Sequence, residues 1–250
     1  MVKSGLDNKI VEDQAVPRVS HYRLAAHLGT ALTIYSAMMV SAFDLLAKPS
    51  QEAKVLEMLR SPQAARLKTL SLVTLGLIAT TIMSGALVAG LDAGLVYNEF
   101  PLMGGKIIPT DLLALTPKWK NFLENSTTVQ FDHRYLVTIF LFFFFFIIIF
   151  FFFFFFSARN SVENFFPLQA MTTATAIGAL FLYSRRLPLP KNVKVAAHML
   201  AGMAAIQVTL GIATLVYYVP ISLASAHQGG SVALLSFALW LLHTLKTAPK

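Results

Sequence analysis

An all-α integral membrane bundle is the fold class that the sequence predicts, on three observations. Hydrophobic residues make up 56% of the chain and charged ones 13%, with a mean hydropathy of +0.65, outside the usual range of a soluble domain. Apolar stretches of about 20 residues, enough for a helix to cross the hydrocarbon core of a bilayer, recur along it. Basic residues gather in alternate loops, the bias that orients spans in a membrane. The net charge of +8 therefore reads as loop charge and not as a nucleic-acid surface. No cysteine is present, which excludes disulfides, thiolate metal sites and iron–sulfur clusters and leaves histidine or oxygen to hold any metal. Residues Met1 to Pro17 mix both charge signs and match neither a signal peptide nor an Arg-rich transit peptide.

Taken in order, spans are expected near Tyr22–Leu46, Leu70–Leu91, Arg134–Phe156, Val195–Val219 and Ser222–Leu245, with a shorter apolar stretch at Met171–Tyr183. The loop from Ala47 to Thr69 carries Lys48, Lys54, Arg60, Arg66 and Lys68, and a second basic loop carries Arg185, Arg186, Lys191 and Lys194. Both should face the matrix or cytoplasm. The loop from Asp92 to Asp132 is acidic on balance and should face the other side. The tight connection Tyr218–Ser222, broken by Pro220, would lie on that same side.

This orientation places His27, His133 and His227 together on the outer side. Imidazole is costly in a membrane unless partnered, and it is a common protein ligand of haem iron. A single such histidine is most simply an interfacial residue; three at matched depth point to axial ligation. Glycines beside them, Gly29, Gly229 and Gly230, are candidate haem neighbours or helix-packing residues. His21, His198 and His243 are left unassigned.

Four motifs in order, Tyr22-Arg-Leu-Ala-Ala-His27, Gly90-Leu-Asp-Ala-Gly-Leu-Val-Tyr-Asn-Glu-Phe-Pro101, Val129-Gln-Phe-Asp-His-Arg134 and Ala226-His-Gln-Gly229, resemble the mitochondrial haem A synthase family and its bacterial counterparts. The resemblance implies a pseudo-twofold bundle of eight helices with one haem pocket per half, and oxidation of a methyl group of haem O to the formyl group of haem A for cytochrome c oxidase. It implies that His133 and His227 are the axial ligands of haem b and that His27 is a ligand of the haem O iron. Arg134 is a candidate partner for a haem propionate, because guanidinium suits carboxylate bidentately. The segment Gly90–Gly105 is a candidate cap on the pocket mouth, or else a plain turn.

The family's functional glutamate and the second substrate histidine form a Glu-x-x-x-His arrangement that does not occur in this sequence, so the catalytic residue is expected upstream of Met1. Residues 1–46 thus read as a remnant of the first half and 47–250 as the haem b half. The partners implied are a haem O supplier (haem O synthase), the cytochrome c oxidase assembly machinery and membrane lipid. The location implied is the mitochondrial inner membrane. The electron donor and any homo-oligomerisation are not legible. Two other readings stay open: a b-type haem-binding protein without hydroxylating activity, and a transporter or structural membrane protein.

One segment departs from the family pattern. Ile139 to Phe156 consists only of Phe, Ile and Leu, a low-complexity run that no helix interface requires. If both this run and Met171–Tyr183 crossed the membrane, His227 would be carried to the opposite side from His133. Omitting residues 137–169 joins Leu136 to Ala170 and restores one span of ordinary length. Those 33 residues read as a translated intron, the alternative being a lipid-facing hairpin.

Overall fold

The computed structural model describes residues 19–46, 52–134 and 172–246. Helix α1 (His21–Leu46) is rich in Leu, Ala and Met, and its two threonine hydroxyls are turned inward on its own backbone. Thr30 and Thr33 donate to the carbonyls of Ala26 and Gly29 at 2.9 and 2.8 Å, which satisfies them where water is absent. A short amphipathic helix, α2 (Ala53–Arg60), leads to Ser61. The Ser61 hydroxyl accepts from the backbone N–H of Ala64 at 3.2 Å, and Pro62 occupies the first turn, so α3 (Pro62–Gly90) starts at a proper N-cap. It therefore begins eight residues before the apolar stretch that starts at Leu70: capping chemistry, not hydropathy, sets the start of a helix.

After α3 the chain forms an ordered loop containing 3-10 turns at Ala93–Leu95 and Lys118–Lys120, a bridge between Met103 and Lys106, and the single turn α4 (Asn121–Glu124). Helix α5 follows and is described over 126–134. His133 therefore stands well inside a helix, not just ahead of one. The expected remainder of that span, to Phe156, lies outside the described residues. Helices α6 (Thr172–Arg185), α7 (Lys191–Val216) and α8 (Ile221–Thr244) complete the bundle. Between α7 and α8 the chain turns through Tyr218 and Val219, both left-handed at φ 60 and 56, before Pro220 restarts it.

The core is shared by α3, α6, α7 and α8 through Leu67, Ile78, Leu180, Val193, Leu200 and Leu241. Helix α1 has no buried residue of its own and lies on the outside, held by the Tyr35 hydroxyl 2.7 Å from Ser236 on α8. The start of α1 meets the end of α3 so closely that a Cβ on Gly90 would lie 2.5 Å from the Cβ of His21. The Tyr22 hydroxyl donates to Glu124 at 2.8 Å. At the other end, Asp44 pairs with His243 and Lys246 of the α8 terminus at 2.9 and 2.8 Å. The bundle thus has a loop end and a basic end, the arrangement that the loop charges predict. Among the described residues, α1, α3 and α7 are long and apolar enough to cross a membrane. Helix α8 is of similar length, but Ser222, Ser225, His227 and Gln228 in its first turns dilute its hydropathy.

Candidate functional site

At the loop end, α5 delivers His133 and α8 delivers His227 to the same place. Their ring centres are 6.5 Å apart and the planes stand at 89°. Two imidazoles sharing one metal ion from opposite sides, each with a bond of about 2 Å, have ring centres roughly 6 Å apart, so the separation suits axial ligation. Each ring is backed by a glycine of a neighbouring helix. A Cβ on Gly85 of α3 would lie 3.1 Å from His133 Cε1, and one on Gly211 of α7 would lie 2.9 Å from His227 Cε1. Any side chain at either position would crowd the ring it backs.

The two histidines differ in what holds them. The Ser84 hydroxyl lies 2.8 Å from His133 Nδ1. His227 Nδ1 is buried without a hydrogen-bond partner, while its backbone carbonyl accepts from Gln207 Nε2 at 2.7 Å. Among the described residues no three His, Asp or Glu side chains converge on a point. A bare ion would need such a group, whereas a porphyrin supplies four ligands itself and asks the protein for the axial pair alone. The donor set, its separation and the two glycines fit a haem.

The other expected residues fall in different places. His27 is exposed on α1 and is not part of the pair. His198 lies toward the basic end, its Nδ1 2.7 Å from the Lys194 carbonyl. The glycines adjacent in sequence to His27 and His227 do not back the rings: Gly29 faces Met83, Gly230 faces Gln207 and Met203, and Gly229 faces nothing within 4 Å. A residue two positions along a helix points to the far side, so close approach to a ring is supplied by another helix.

The loop that precedes α5 is fastened by polar side chains, of which Gln130 and Asn121 are buried. Arg134 donates to three loop carbonyls, those of Tyr97, Glu99 and Leu102, at 2.6, 3.0 and 3.2 Å. Gln130 adds a bond to the Tyr97 carbonyl at 2.9 Å. Asn121, fully buried, accepts from Leu115 N–H at 2.9 Å and donates to the carbonyls of Leu115 and Lys118. Asp111 accepts from the Tyr97 and Thr127 hydroxyls. Desolvation pushes the Asp111 carboxyl up, but those hydrogen bonds outweigh it and hold it below the usual carboxylate range. The same bond to Asp111 raises the Tyr97 phenol. Gly105 stands at φ 73 with its N–H donating to Glu99 at 2.7 Å, a conformation that favours glycine. Asn98 ties the loop to the end of α7, donating to the Leu215 carbonyl at 3.0 Å.

The sequence of the chain matches the profile of the cytochrome oxidase assembly protein family, COX15-CtaA, over residues 1–166 and 151–239. The chain belongs to that family. Within it, Heme A synthase COX15 of Mus musculus is 44% identical over all 250 residues, which is 100% of this chain and 51% of that protein. Heme A synthase COX15 of Arabidopsis thaliana is 39% identical over 98% of this chain and 46% of its own length. The Heme A synthase of Nitrosospira multiformis is 39% identical over 98% and 56%. The chain spans about half the length of these curated relatives. No solved structure matches it. The COX15-CtaA chain described here owes its ring packing to Ser84, Gly85, Gln207 and Gly211, which sequence reasoning missed. The first two sit in Thr80-Thr81-Ile-Met-Ser84-Gly85, a run of small and hydroxyl residues that in an apolar span marks close helix contact. Gly211 and Gln207 carry no comparable signal.

Proposed function

We propose that this chain is the haem b-holding half of a haem A synthase, a protein that oxidises a methyl group of haem O to the formyl group of haem A for cytochrome c oxidase. The observation that carries the reading is the His133–His227 pair, 6.5 Å apart between α5 and α8. A haem bound there supplies one-electron redox chemistry at its iron. The chain's own residues bind and orient: the histidines as axial ligands, and Gly85 and Gly211 by leaving the rings room. Arg134 fastens the loop over the site and, with five N–H donors, can take a haem propionate as a further acceptor. His27 is the proposed ligand of the haem O iron, presented on a helix that buries none of its own residues. The catalytic residue is assigned to the part of the relatives that this chain does not span.

A relative from Schizosaccharomyces pombe, 33% identical over 98% of this chain, is a Heme A synthase-mitochondrial ferredoxin fusion protein. That supports an electron donor of the ferredoxin class. On the family resemblance, the location proposed is the mitochondrial inner membrane, with haem O synthase as supplier and the oxidase assembly machinery as recipient.

We propose further that residues 137–169 are an insertion. The family match breaks into two pieces that overlap at 151–166, inside those 33 residues. Thr173 on α6 lies 3.1 Å from Thr81, one turn of α3 from the Ser84 that contacts His133. His133 and Thr173 are 40 positions apart in the chain and 7 apart without the 33, two helical turns that share one face. Buried Ile177, Leu180 and Ser184 continue that face. Transcript reads joining the Leu136 and Ala170 codons are expected; reads covering all 33 codons uniformly would remove the proposal.

The test of the haem site is an absorption spectrum of the detergent-purified chain beside His133→Ala and His227→Ala. A reduced b-type α-band lost in either variant is the expected result. A band that survives both substitutions refutes the pairing.

A further inference from the structure

The group hydrogen-bonded to one ring nitrogen of a histidine fixes which nitrogen carries the proton, and so which one can bind a metal. The surroundings of His133 are specific enough to decide this. The Ser84 oxygen lies 2.8 Å from His133 Nδ1 and also 2.8 Å from the carbonyl oxygen of Thr81, one turn earlier on α3. A carbonyl only accepts and a hydroxyl has one proton. If that proton pointed at Nδ1, the Ser84 and Thr81 oxygens would face each other with lone pairs at hydrogen-bonding distance. The proton therefore goes to the Thr81 carbonyl, and the Ser84 oxygen accepts from Nδ1–H. His133 is left with its lone pair on Nε2.

We infer that Ser84 is a positioning residue for His133: relayed to the Thr81 carbonyl, it holds the ring in the tautomer that presents Nε2 as a ligand and fixes its angle against Gly85. This rests on the haem reading above and adds an asymmetry to it. The support under Ser84 is itself anchored, since the Thr81 hydroxyl returns to the Leu77 carbonyl at 2.8 Å and meets Thr173 of α6 at 3.1 Å. Among the described residues, His227 Nδ1 has no partner and no equivalent support. Of the two ligands, His133 is the pre-oriented one. An acceptor on Nδ1–H also makes the imidazole a stronger donor to iron, which favours the oxidised state, so removing it should raise the reduction potential.

The experiment compares the full chain with Ser84→Ala, Ser84→Thr and His133→Ala in detergent, each titrated with haem b and then poised through a redox titration. Ser84→Ala is expected to weaken haem binding by about 10- to 100-fold, the usual effect of losing the hydrogen-bond partner of a ligating histidine, and to shift the potential upward. Ser84→Thr, which keeps the hydroxyl, is expected to match the native chain in both. His133→Ala is expected to lose the b-type spectrum. Ser84→Ala with native affinity and potential overturns the inference while leaving the haem reading intact. So does a loss of affinity with no change in potential, which marks a packing role only. Ser84→Thr behaving like Ser84→Ala overturns it as well. A native b-type band in His133→Ala overturns the haem reading and this inference together.

Discussion

The two ends of this bundle are built to different standards. At the loop end, Asn121 is fully buried with four side-chain hydrogen bonds, Asp111 takes two hydroxyls and Arg134 holds three carbonyls. At the basic end, Arg185, Arg186, Lys191 and Lys194 form no ion pair among the described residues, and the tie across the end is the Asp44 cluster, half exposed. No Asp or Glu follows Glu163 in the sequence, so this end has few internal anions to answer its cations. The contrast teaches where geometry matters. Charge at the basic end needs only to be on the correct side of a membrane. At the loop end two rings must be held at a fixed separation, and that takes bonds with defined partners and directions.

The comparison can be broken or sharpened by experiments graded by expected effect. Gly211→Val should do most damage, because even a Cβ there would lie 2.9 Å from His227 Cε1 and Val adds two methyls beyond it. Loss of the b-type spectrum is the expected readout, with Gly85→Ala, at 3.1 Å from His133, retaining more haem. Asn121→Ala should follow. It leaves the Leu115 N–H and carbonyl without the side-chain amide that pairs with both, at a cost of about 1 to 3 kcal/mol, visible as a lowered melting temperature in detergent.

Acidification should loosen the loop selectively. Because Asp111 is held below the usual carboxylate range in the fold, its contribution is present above the ordinary carboxylate pKa and is lost as pH falls through the lowered value. The raised Tyr97 phenol works the other way, its contribution being lost as pH rises through the raised value. Hydrogen exchange across 97–127 should therefore show greatest protection between the two and less at either extreme; Asp111→Asn should remove the acid limb. The smallest effect belongs to the basic end. Asp44→Ala breaks an exposed cluster, a class of interaction worth little in general, and should leave the melting temperature within the scatter of repeat scans.

Much of the fold was legible because its signals are one-dimensional. Apolar length marks the spans, charge bias their direction, and Pro220 the turn into α8. The depth of His133 and His227 followed from counting along each span. What was not legible depends on which helix stands beside which. Gly85 and Gly211, which back the two imidazoles, belong to helices far in sequence from the histidines they touch. The N-terminal boundary of α3 was placed too late because the cap at Ser61 and Pro62 lies in a polar stretch that hydropathy ignores.

The sequence by itself determined the class of the protein and its family and singled out His133 and His227 as candidates, since these follow from composition, periodicity or an unbroken motif. The tertiary structure alone decided that the rings stand 6.5 Å apart, that glycines from α3 and α7 back them, and that Ser84 meets one ring while, among the described residues, nothing equivalent meets Nδ1 of the other. Those facts arise between helices, where a contact depends on packing angle and rotation about each axis. Neither quantity is written in any single stretch of chain.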